Sequence, residues 1–273
     1  MTFKTLLAAA FLASSAPALA IDTYTITETV PADAVSEAGG VADIIGIKPG
    51  MPADEALSII ADNYGGADKV DRFRLKIGTA QVQSQGFDLY YKAGSALGDG
   101  LVHAYLTSPV AGNKVFAAYR SVEFHVEDGL PKFEALTEQL VAKYGKPHVV
   151  HNFSWDKGGP RYSWYLGGSG QCPPEEGVCH DIYNGGSSGG PGGVMGAYDI
   201  AKVGDYEKSA SLGTGVVIVA AMREHSRYPG SASSLSVSFV DLRLRAAAAR
   251  ADYDLIVAEQ AKFDAKKVSL PKL

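Results

Sequence analysis

The chain has 273 residues, a formal net charge of −5 and 20% charged residues, while 46% of its residues are hydrophobic. This balance is typical of a folded globular protein and excludes a largely disordered chain. The mild acidity also argues against a protein that binds nucleic acid by neutralising phosphates, so no nucleic-acid partner is expected.

The first twenty residues have the pattern of a cleavable secretory signal peptide. Lys4 supplies the positive start, residues 6–13 form an apolar run, and residues 18–20 read Ala-Leu-Ala, an A-x-A cleavage site. An apolar run of this length is too short to cross a bilayer. We therefore expect a secreted or periplasmic protein without a transmembrane segment, with signal peptide 1–20 removed and a mature chain that begins at Ile21.

The next part of the chain predicts a helix followed by strands. Residues 21–43 are expected to be an N-terminal segment and linker, with a candidate edge strand over 23–30. A helix is predicted over Pro52–Tyr64, because proline suits a first helical turn and the pair Gly65-Gly66 terminates it. The hydrophobic period then changes to two, which is typical of antiparallel strands. These strands are expected over 72–77, 86–92, 101–106 and 115–126.

The second half of the chain repeats this order. A helix is predicted over Pro131–Tyr144, and strands follow over 148–154, 161–166, 215–222 and 234–244. In the last strand the apolar positions Leu235, Val237 and Phe239 change phase to Val240, Leu242 and Leu244, which predicts a β-bulge. An alanine-rich helix is expected from about residue 246, and we favour a helix lying on the domain over a coiled coil.

These elements predict an α+β fold with helices packed on antiparallel sheet and a C-terminal helix. The pattern Pro-x-x-Glu-Ala-Leu occurs at Pro52 and again at Pro131, which favours two tandem helix-plus-meander units. The alternative is that two good helix starts look alike by chance. The predicted units span residues 44–128 and 129–245, and the C-terminal helix and tail span 246–273.

The first helix entry resembles a known motif. Residues 47–51 (Ile-Lys-Pro-Gly-Met) followed by Asp54-Glu55-Ala56 resemble the G-M-x-x-x-E entry of small envelope domains of the BamE/SmpA type. β-Lactamase-inhibitor proteins are similar and carry two helix-plus-sheet units in tandem. The resemblance covers residues 44–64 and, more loosely, 130–147. It implies a protein-binding or envelope-assembly role without catalysis, although the family's lipid-anchor cysteine is missing here.

Both cysteines lie in a glycine-rich segment, residues 167–196, which is predicted to be a mobile surface loop. Export places Cys172 and Cys179 in an oxidising compartment, so one structural disulfide is expected between them. Their spacing fits neither a C-x-x-C redox motif nor a C-x-x-C-H haem attachment site.

Three patterns are candidates for chemistry, and each has a simpler explanation. His148 and His151 would point to opposite faces of a strand, so one metal ion would not contact both. Glu123, His125 and Glu127 are spaced to share one strand face, as general-base chemistry would need, but polar alternation is usual on a half-exposed strand. Residues 185–189 match G-x-S-x-G without the strand and helix that a nucleophile elbow requires. We therefore predict no catalytic residues, no metal site and no cofactor.

Aromatic residues beside the glycine-rich segment are the binding candidates. They alternate along two predicted strands, and tyrosine and tryptophan suit interfaces. The alternative is an ordinary sheet core. The candidate binding residues are Phe153, Trp155, Tyr162 and Trp164. The function predicted is a non-enzymatic binding or envelope-associated protein, whose partner is a protein or another envelope component. The alternative is a hydrolase or metal-dependent enzyme with a site assembled from dispersed His, Asp and Glu residues.

Overall fold

The computed structural model describes residues 42–95, 100–152, 158–167, 200–211 and 213–267. Several predictions fall outside these residues: the signal peptide, the strand at 23–30, Phe153 and Trp155, the G-x-S-x-G match, and the disulfide between Cys172 and Cys179.

The described residues form eight strands and four α-helices. The strands are β1 Asp71–Leu75, β2 Phe87–Ser95, β3 Gly100–Leu106, β4 Val115–Glu123, β5 Val149–Asn152, β6 Gly158–Leu166, β7 Val216–His225 and β8 Tyr228–Asp241. The helices are α1 Ala53–Asn63, α2 Phe133–Tyr144, α3 Val203–Ser211 and α4 Leu242–Lys267. The predicted α+β class with a C-terminal helix is confirmed.

All strands belong to one antiparallel sheet in the order β1-β2-β3-β4-β8-β7-β6-β5. Helix α1 precedes the meander β1–β4, and helix α2 precedes the meander β5–β8. The two meanders join through β4 and β8, which pair from Ala117↔Val240 to Glu123↔Ser234. The helix-plus-meander order expected from the sequence is therefore present in both halves, and the halves share one continuous sheet.

Helices cover both faces of this sheet. Ile60 of α1 and Leu136 of α2 share one buried cluster with Trp164 and Phe239. Tyr206 of α3 and several residues of α4 share a second cluster, on the opposite face. The α4 residues in that cluster are Leu242, Leu244, Ala246, Ala248, Ala249 and Ile256.

The β-bulge predicted near the end of β8 is wrong. The pairing of β8 with β4 and β7 is continuous from Ser234 to Val240. The hydrophobic phase changes because the chain changes from strand to helix, so Leu242 and Leu244 belong to α4. The carboxylate of Asp241 starts that helix, since its Oδ1 accepts a hydrogen bond from Leu244 N at 2.8 Å.

Helix α4 lies on the domain, which was the preferred of the two predictions for it. Ser108 Oγ donates to Asp252 Oδ1 at 2.5 Å, and both residues are buried. Near its other end, Gln260 Oε1 accepts a hydrogen bond of 2.7 Å from Thr79. None of the helices in the described ranges is sufficiently long and apolar to span a membrane.

Helix α3 was not predicted. It is only nine residues long, contains Gly204, and has few apolar side chains. Contacts with α4 hold it in place. The Arg245 guanidinium stacks 4.0 Å from the centre of the Tyr206 ring, and Arg250 donates two hydrogen bonds of 2.7 Å, from Nε and Nη2, to the Glu207 carboxylate. Its helical state therefore depends on tertiary packing.

Candidate functional site

The sheet face that carries α3 and α4 changes character along the strands. Close to the start of α4, one row of paired residues belongs to the core under these helices. That row contains Tyr105, Ala117, Val240, Val217 and Tyr165. Further from α4, the same face carries more polar residues, although Leu101, Tyr119 and Val219 there still belong to the core cluster.

Directly paired residues of antiparallel strands project from the same side of a sheet, so the strand register identifies the members of each polar row. The first row contains Lys92, His103, Tyr119, Ser238, Val219 and Ser163, and it continues to Asp71 on β1 and Val149 on β5. The second contains Leu101, Ser121, Ser236, Ala221 and Arg161. The third contains Glu123, Ser234 and Arg223. We call the set His103, Tyr119, Ser121, Ser163, Ser234, Ser236 and Ser238 the hydroxyl face.

Short side chains lie at the centre of the hydroxyl face, and we call this stretch the trough. Ser121, Ser236 and Ala221 are paired neighbours on β4, β8 and β7, and all three side chains are short. Longer side chains border them, with Tyr119 on one side and Arg223 on the other. Ser236 is half-buried, as are Ser234 and Ser238 on the same strand, so solvent reaches this trough.

His103 lies in a stack of aromatic rings that runs inward from the edge of the sheet. The Phe73 and Tyr90 ring centres are 4.3 Å apart with planes at 13°, and the Tyr90 and His103 centres are 5.6 Å apart at 12°. His103 Nδ1 is 3.0 Å from the hydroxyl of Tyr105. Phe73 is 40% exposed whereas His103 is only 5% exposed, so the stack connects solvent with the interior.

The imidazole of His103 is neutral at physiological pH. Burial lowers its pKa from 6.5 to about 4, and the nearby positive charge of Lys92 acts in the same direction. A neutral imidazole has one donor and one acceptor nitrogen. Nδ1 uses one of these functions with Tyr105, which leaves Nε2 for another group.

Two polar atoms of the first row have no hydrogen-bond partner among the described residues. They are His103 Nε2 and Ser163 Oγ, and both atoms are buried. Ser163 is 0% exposed. Because most buried polar atoms in proteins are paired, two unpaired atoms in one row of one face need an explanation, such as a ligand or an ordered water molecule.

The remaining titratable groups keep the centre of the hydroxyl face uncharged. Burial raises the pKa of Tyr119, and a hydrogen bond with Ser121 partly opposes that rise. Burial also raises the pKa of Glu123, against the lowering effect of the charges of Arg223 and His125. The charged side chains around these neutral donors and acceptors are Lys92, Glu123, Arg223 and the buried Arg161, which pairs with Ala221.

The structure places two of the predicted binding residues in the core. Tyr162 is 8% exposed and Trp164 is 0% exposed, on the opposite sheet face from the hydroxyl face. Trp164 Nε1 donates to Gly145 O at 2.8 Å, and the Tyr162 hydroxyl is 2.8 Å from Thr137 Oγ1. Both rings thus pack beneath α2, as the alternative core interpretation of these residues expected.

The structure does not assemble the candidate chemistry predicted for Glu123, His125 and Glu127. Strand β4 ends at Glu123, and a 3₁₀ turn over Val126–Asp128 follows, so His125 and Glu127 do not continue its face. The expected strand to residue 126 is therefore too long.

His148 and His151, the candidate metal ligands, lie on either side of the first residue of β5. His148 precedes β5, and its Nδ1 accepts a hydrogen bond of 3.2 Å from Tyr165 N. His151 lies within β5 and pairs with Arg161. In the part of the chain that the structure describes, no group of three or more His, Cys, Asp or Glu side chains could hold a metal ion.

Comparison of the chain with protein-family models, with curated proteins and with solved structures returned no match. The residues of the hydroxyl face were not predicted from the sequence either. Ser234, Ser236 and Ser238 alternate with the apolar residues that predicted strand β8, so that alternation was a usable signal for a polar face. His103 lies within a strand that is buried throughout, where no alternation marks it.

Proposed function

We propose that this protein is an exported, non-enzymatic binding protein and that the hydroxyl face is its binding surface. The observation that carries the proposal is the half-buried serine repeat of β8, which lies in register with two buried atoms, His103 Nε2 and Ser163 Oγ, that have no partner among the described residues. Export rests on the signal-peptide pattern of residues 1–20.

The chemistry of the face favours binding over catalysis. A general base works best when its pKa is near the pH of the reaction, whereas the pKa of His103 is about 4. The His103 nitrogen that has a partner contacts a tyrosine hydroxyl, and Ser236 Oγ donates to the backbone oxygen of Ala221 at 3.4 Å. No serine hydroxyl among the described residues of the face is hydrogen-bonded to a histidine, as nucleophilic catalysis would need.

The raised pKa of Glu123 supports the alternative, an enzyme of the hydrolase class. A carboxyl group that stays protonated at higher pH is a suitable general acid. The resemblance of residues 47–56 to envelope and inhibitor domains implies a role without catalysis, and it agrees with the binding proposal.

The test uses the mature protein and two tryptophan variants. Ser236→Trp fills the trough, while Ser58→Trp places the same side chain on the exposed surface of α1 as a matched control. The immobilised parent is incubated with envelope extract, and any retained component is purified and bound again in isolation. We expect parent and Ser58→Trp to rebind it and Ser236→Trp to fail.

Two results would contradict the proposal. Equal rebinding by both tryptophan variants would exclude the hydroxyl face as the binding surface. Cleavage of the purified component by the parent, lost in Glu123→Gln, would identify the protein as an enzyme. Melting temperatures of the variants show whether either tryptophan has damaged the fold.

A further inference from the structure

The face of the sheet that carries α1 and α2 is open along its middle. Four half-buried side chains lie there in two pairs on the central strands β4 and β8, Arg120 with Val237 and Val122 with Leu235. Beside them, under the helices, Val102 of β3 and Ala220 of β7 are 0% exposed. A groove therefore runs between α1 and α2, and we call the four half-buried residues the groove floor.

The groove is closed at one end, where the described chain begins. The next pair of β4 and β8 in the direction of α4 is Ala118 and Phe239, which are 0% and 1% exposed. Ala42 is 0% exposed and belongs to the same buried cluster. The Tyr144 hydroxyl of α2 donates a hydrogen bond of 2.9 Å to Asp43 O, which fixes the start of the described chain beside this helix.

The turn after Ala42 crosses from α2 to α1. Lys143 of α2 forms an ion pair with the carboxylate of Asp43, and Gly46 lies beside Ile59 of α1. Ile44 and Ile47, in the same turn, are 3% and 0% exposed. This turn fills the space between the helices at the closed end, so the chain that precedes Ala42 starts at the groove.

We infer that residues 33–41 of the same chain lie along the groove and cover its floor. The groove is on the opposite face of the sheet from the hydroxyl face, so this inference does not rest on the proposed function. The length, the side chains and the charge of the segment each support it as the occupant.

The segment is long enough for the groove. An extended chain advances about 3.3 Å per residue, so the path along β4 from Ala118 to Val122 is about 13 Å long. Residues 33–41, when extended, span about 30 Å. Starting from the closed end, they can pass over the whole groove floor.

The side chains of the segment suit a groove between two helices. Residues 33–41 read Asp-Ala-Val-Ser-Glu-Ala-Gly-Gly-Val, which are mostly small. Glycine permits close approach of the backbone to neighbouring groups. Val35, Ala38 and Val41 supply apolar surface, and its burial against the three aliphatic residues of the groove floor favours this position.

Charge identifies Arg120 as the polar contact on the groove floor. Its Nε atom is buried and has no hydrogen-bond partner among the described residues. Residues 21–41 contain four acidic side chains and no basic one, and Glu37 is the acidic residue nearest to Ala42 in sequence. A carboxylate is the acceptor that a half-buried guanidinium needs, so we assign Glu37 as the partner of Arg120.

The first test measures whether residues 21–41 protect the groove floor from a thiol reagent. Leu235→Cys lies in the floor, and Ser236→Cys, on the opposite face of the same strand, is the matched control. Mass spectrometry distinguishes the introduced cysteine from Cys172 and Cys179. We expect the mature protein to label at Leu235→Cys at least about tenfold more slowly than the same variant without residues 21–41, and at Ser236→Cys at an equal rate.

A charge reversal tests the pair of Glu37 and Arg120. Protection is the labelling rate without residues 21–41 divided by the rate with them, which corrects for direct effects of charge on the thiol. Glu37→Arg and Arg120→Glu should each reduce the protection of Leu235→Cys to less than about threefold, and the two together should restore it to within about twofold of the original. Glu28→Arg is the matched control and should not restore protection to Arg120→Glu.

A second measurement needs no deletion, in case the shortened chain does not fold. Hydrogen exchange of residues 33–41 in the intact protein should be at least about tenfold slower than in the free peptide, and Glu37→Arg should remove most of this difference. Exchange at the rate of the free peptide would overturn the inference.

Three labelling results would also overturn it. Fast labelling of Leu235→Cys in the intact protein would show that the groove floor is open. Slow labelling that persists without residues 21–41 would show that another segment, such as the glycine-rich residues 167–196, covers it. Protection that appears only at concentrations where the protein dimerises would assign the groove to a second copy of the chain.

Discussion

Strand β8 contributes to both faces of the sheet, and the two faces use it differently. Leu235, Val237 and Phe239 pack against the core under α1 and α2. The alternate residues Ser234, Ser236 and Ser238 lie on the other face and are half-buried at the border of the core under α3 and α4. One strand thus carries a structural face and a polar face, and a serine repeat in a central strand indicates a surface that stability alone does not require.

The largest loss of folding stability is expected for a substitution on the structural face. Trp164→Ala removes a fully buried ring and its hydrogen bond to Gly145 O, so the free energy of unfolding should fall by about 3–5 kcal/mol. Chemical denaturation measures this loss. Ser236→Ala, on the polar face, is the control and should change stability by no more than about 0.5 kcal/mol. A cost above 2 kcal/mol for Ser236→Ala would end the distinction between the faces.

A pH titration of stability tests the buried imidazole of the polar face. Unfolded, His103 takes up a proton below pH 6.5, whereas in the folded protein its pKa is about 4. The unfolded state therefore binds more protons in that window, and the free energy of unfolding should fall by about 3 kcal/mol as the pH decreases from 6.5 to about 4.

The control for this titration is His103→Phe, which keeps an aromatic ring and cannot be protonated. The slope of stability against pH, measured by urea unfolding at each pH, should be smaller for the variant between pH 6.5 and 4. Identical slopes for parent and variant would show that folding does not lower the pKa of His103.

A smaller loss of stability is expected at Asp241, the last residue of β8 before α4. Asp241→Ala removes the carboxylate that accepts a hydrogen bond from Leu244 N, and it should lower the free energy of unfolding by about 1–2 kcal/mol. Asp241→Asn retains an acceptor oxygen and should cost less. If thermal melting shows an equal loss in both variants, the charge of Asp241 matters more than its acceptor role at the helix start.

The smallest effect on stability is expected from deletion of residues 184–193. The tract contains no aliphatic or aromatic side chain, so its removal loses no apolar burial, and a shorter loop changes closure entropy by less than about 1 kcal/mol. The melting temperature should shift by no more than a few degrees. A shift of more than about 10 °C would contradict the prediction that this segment is a surface loop.

The fold was more predictable than the site, for reasons visible in individual residues. Alternation along 235–239 and the helix starts at Pro52 and Pro131 identify elements because periodicity reflects one buried face. The phase change at Leu242 was ambiguous, since a bulge and a strand-to-helix transition both interrupt alternation. Helix α3 could not be predicted, because contacts from Arg245 and Arg250 stabilise it from another helix.

The hydroxyl face depends on strand pairing, which no local pattern contains. Tyr119 and Ser238 become neighbours only when β4 pairs with β8. His103 joins them through the register of β3 with β4. The pattern of residues in β3 does not mark His103 as part of a polar face, because β3 is buried on both sides. Because the pairing of four strands brings these residues together, the hydroxyl face can be identified only once the strand register is known.

The pairing of β4 with β8 has a consequence for how the chain folds. The paired residues are more than 100 positions apart, so we expect the middle of the sheet to close late in folding, after the two smaller meanders. Until then β4 and β8 are open edges that can pair with other chains. A truncated or incompletely exported chain that lacks β8 would retain such an edge permanently, and aggregation rather than partial function is its expected fate.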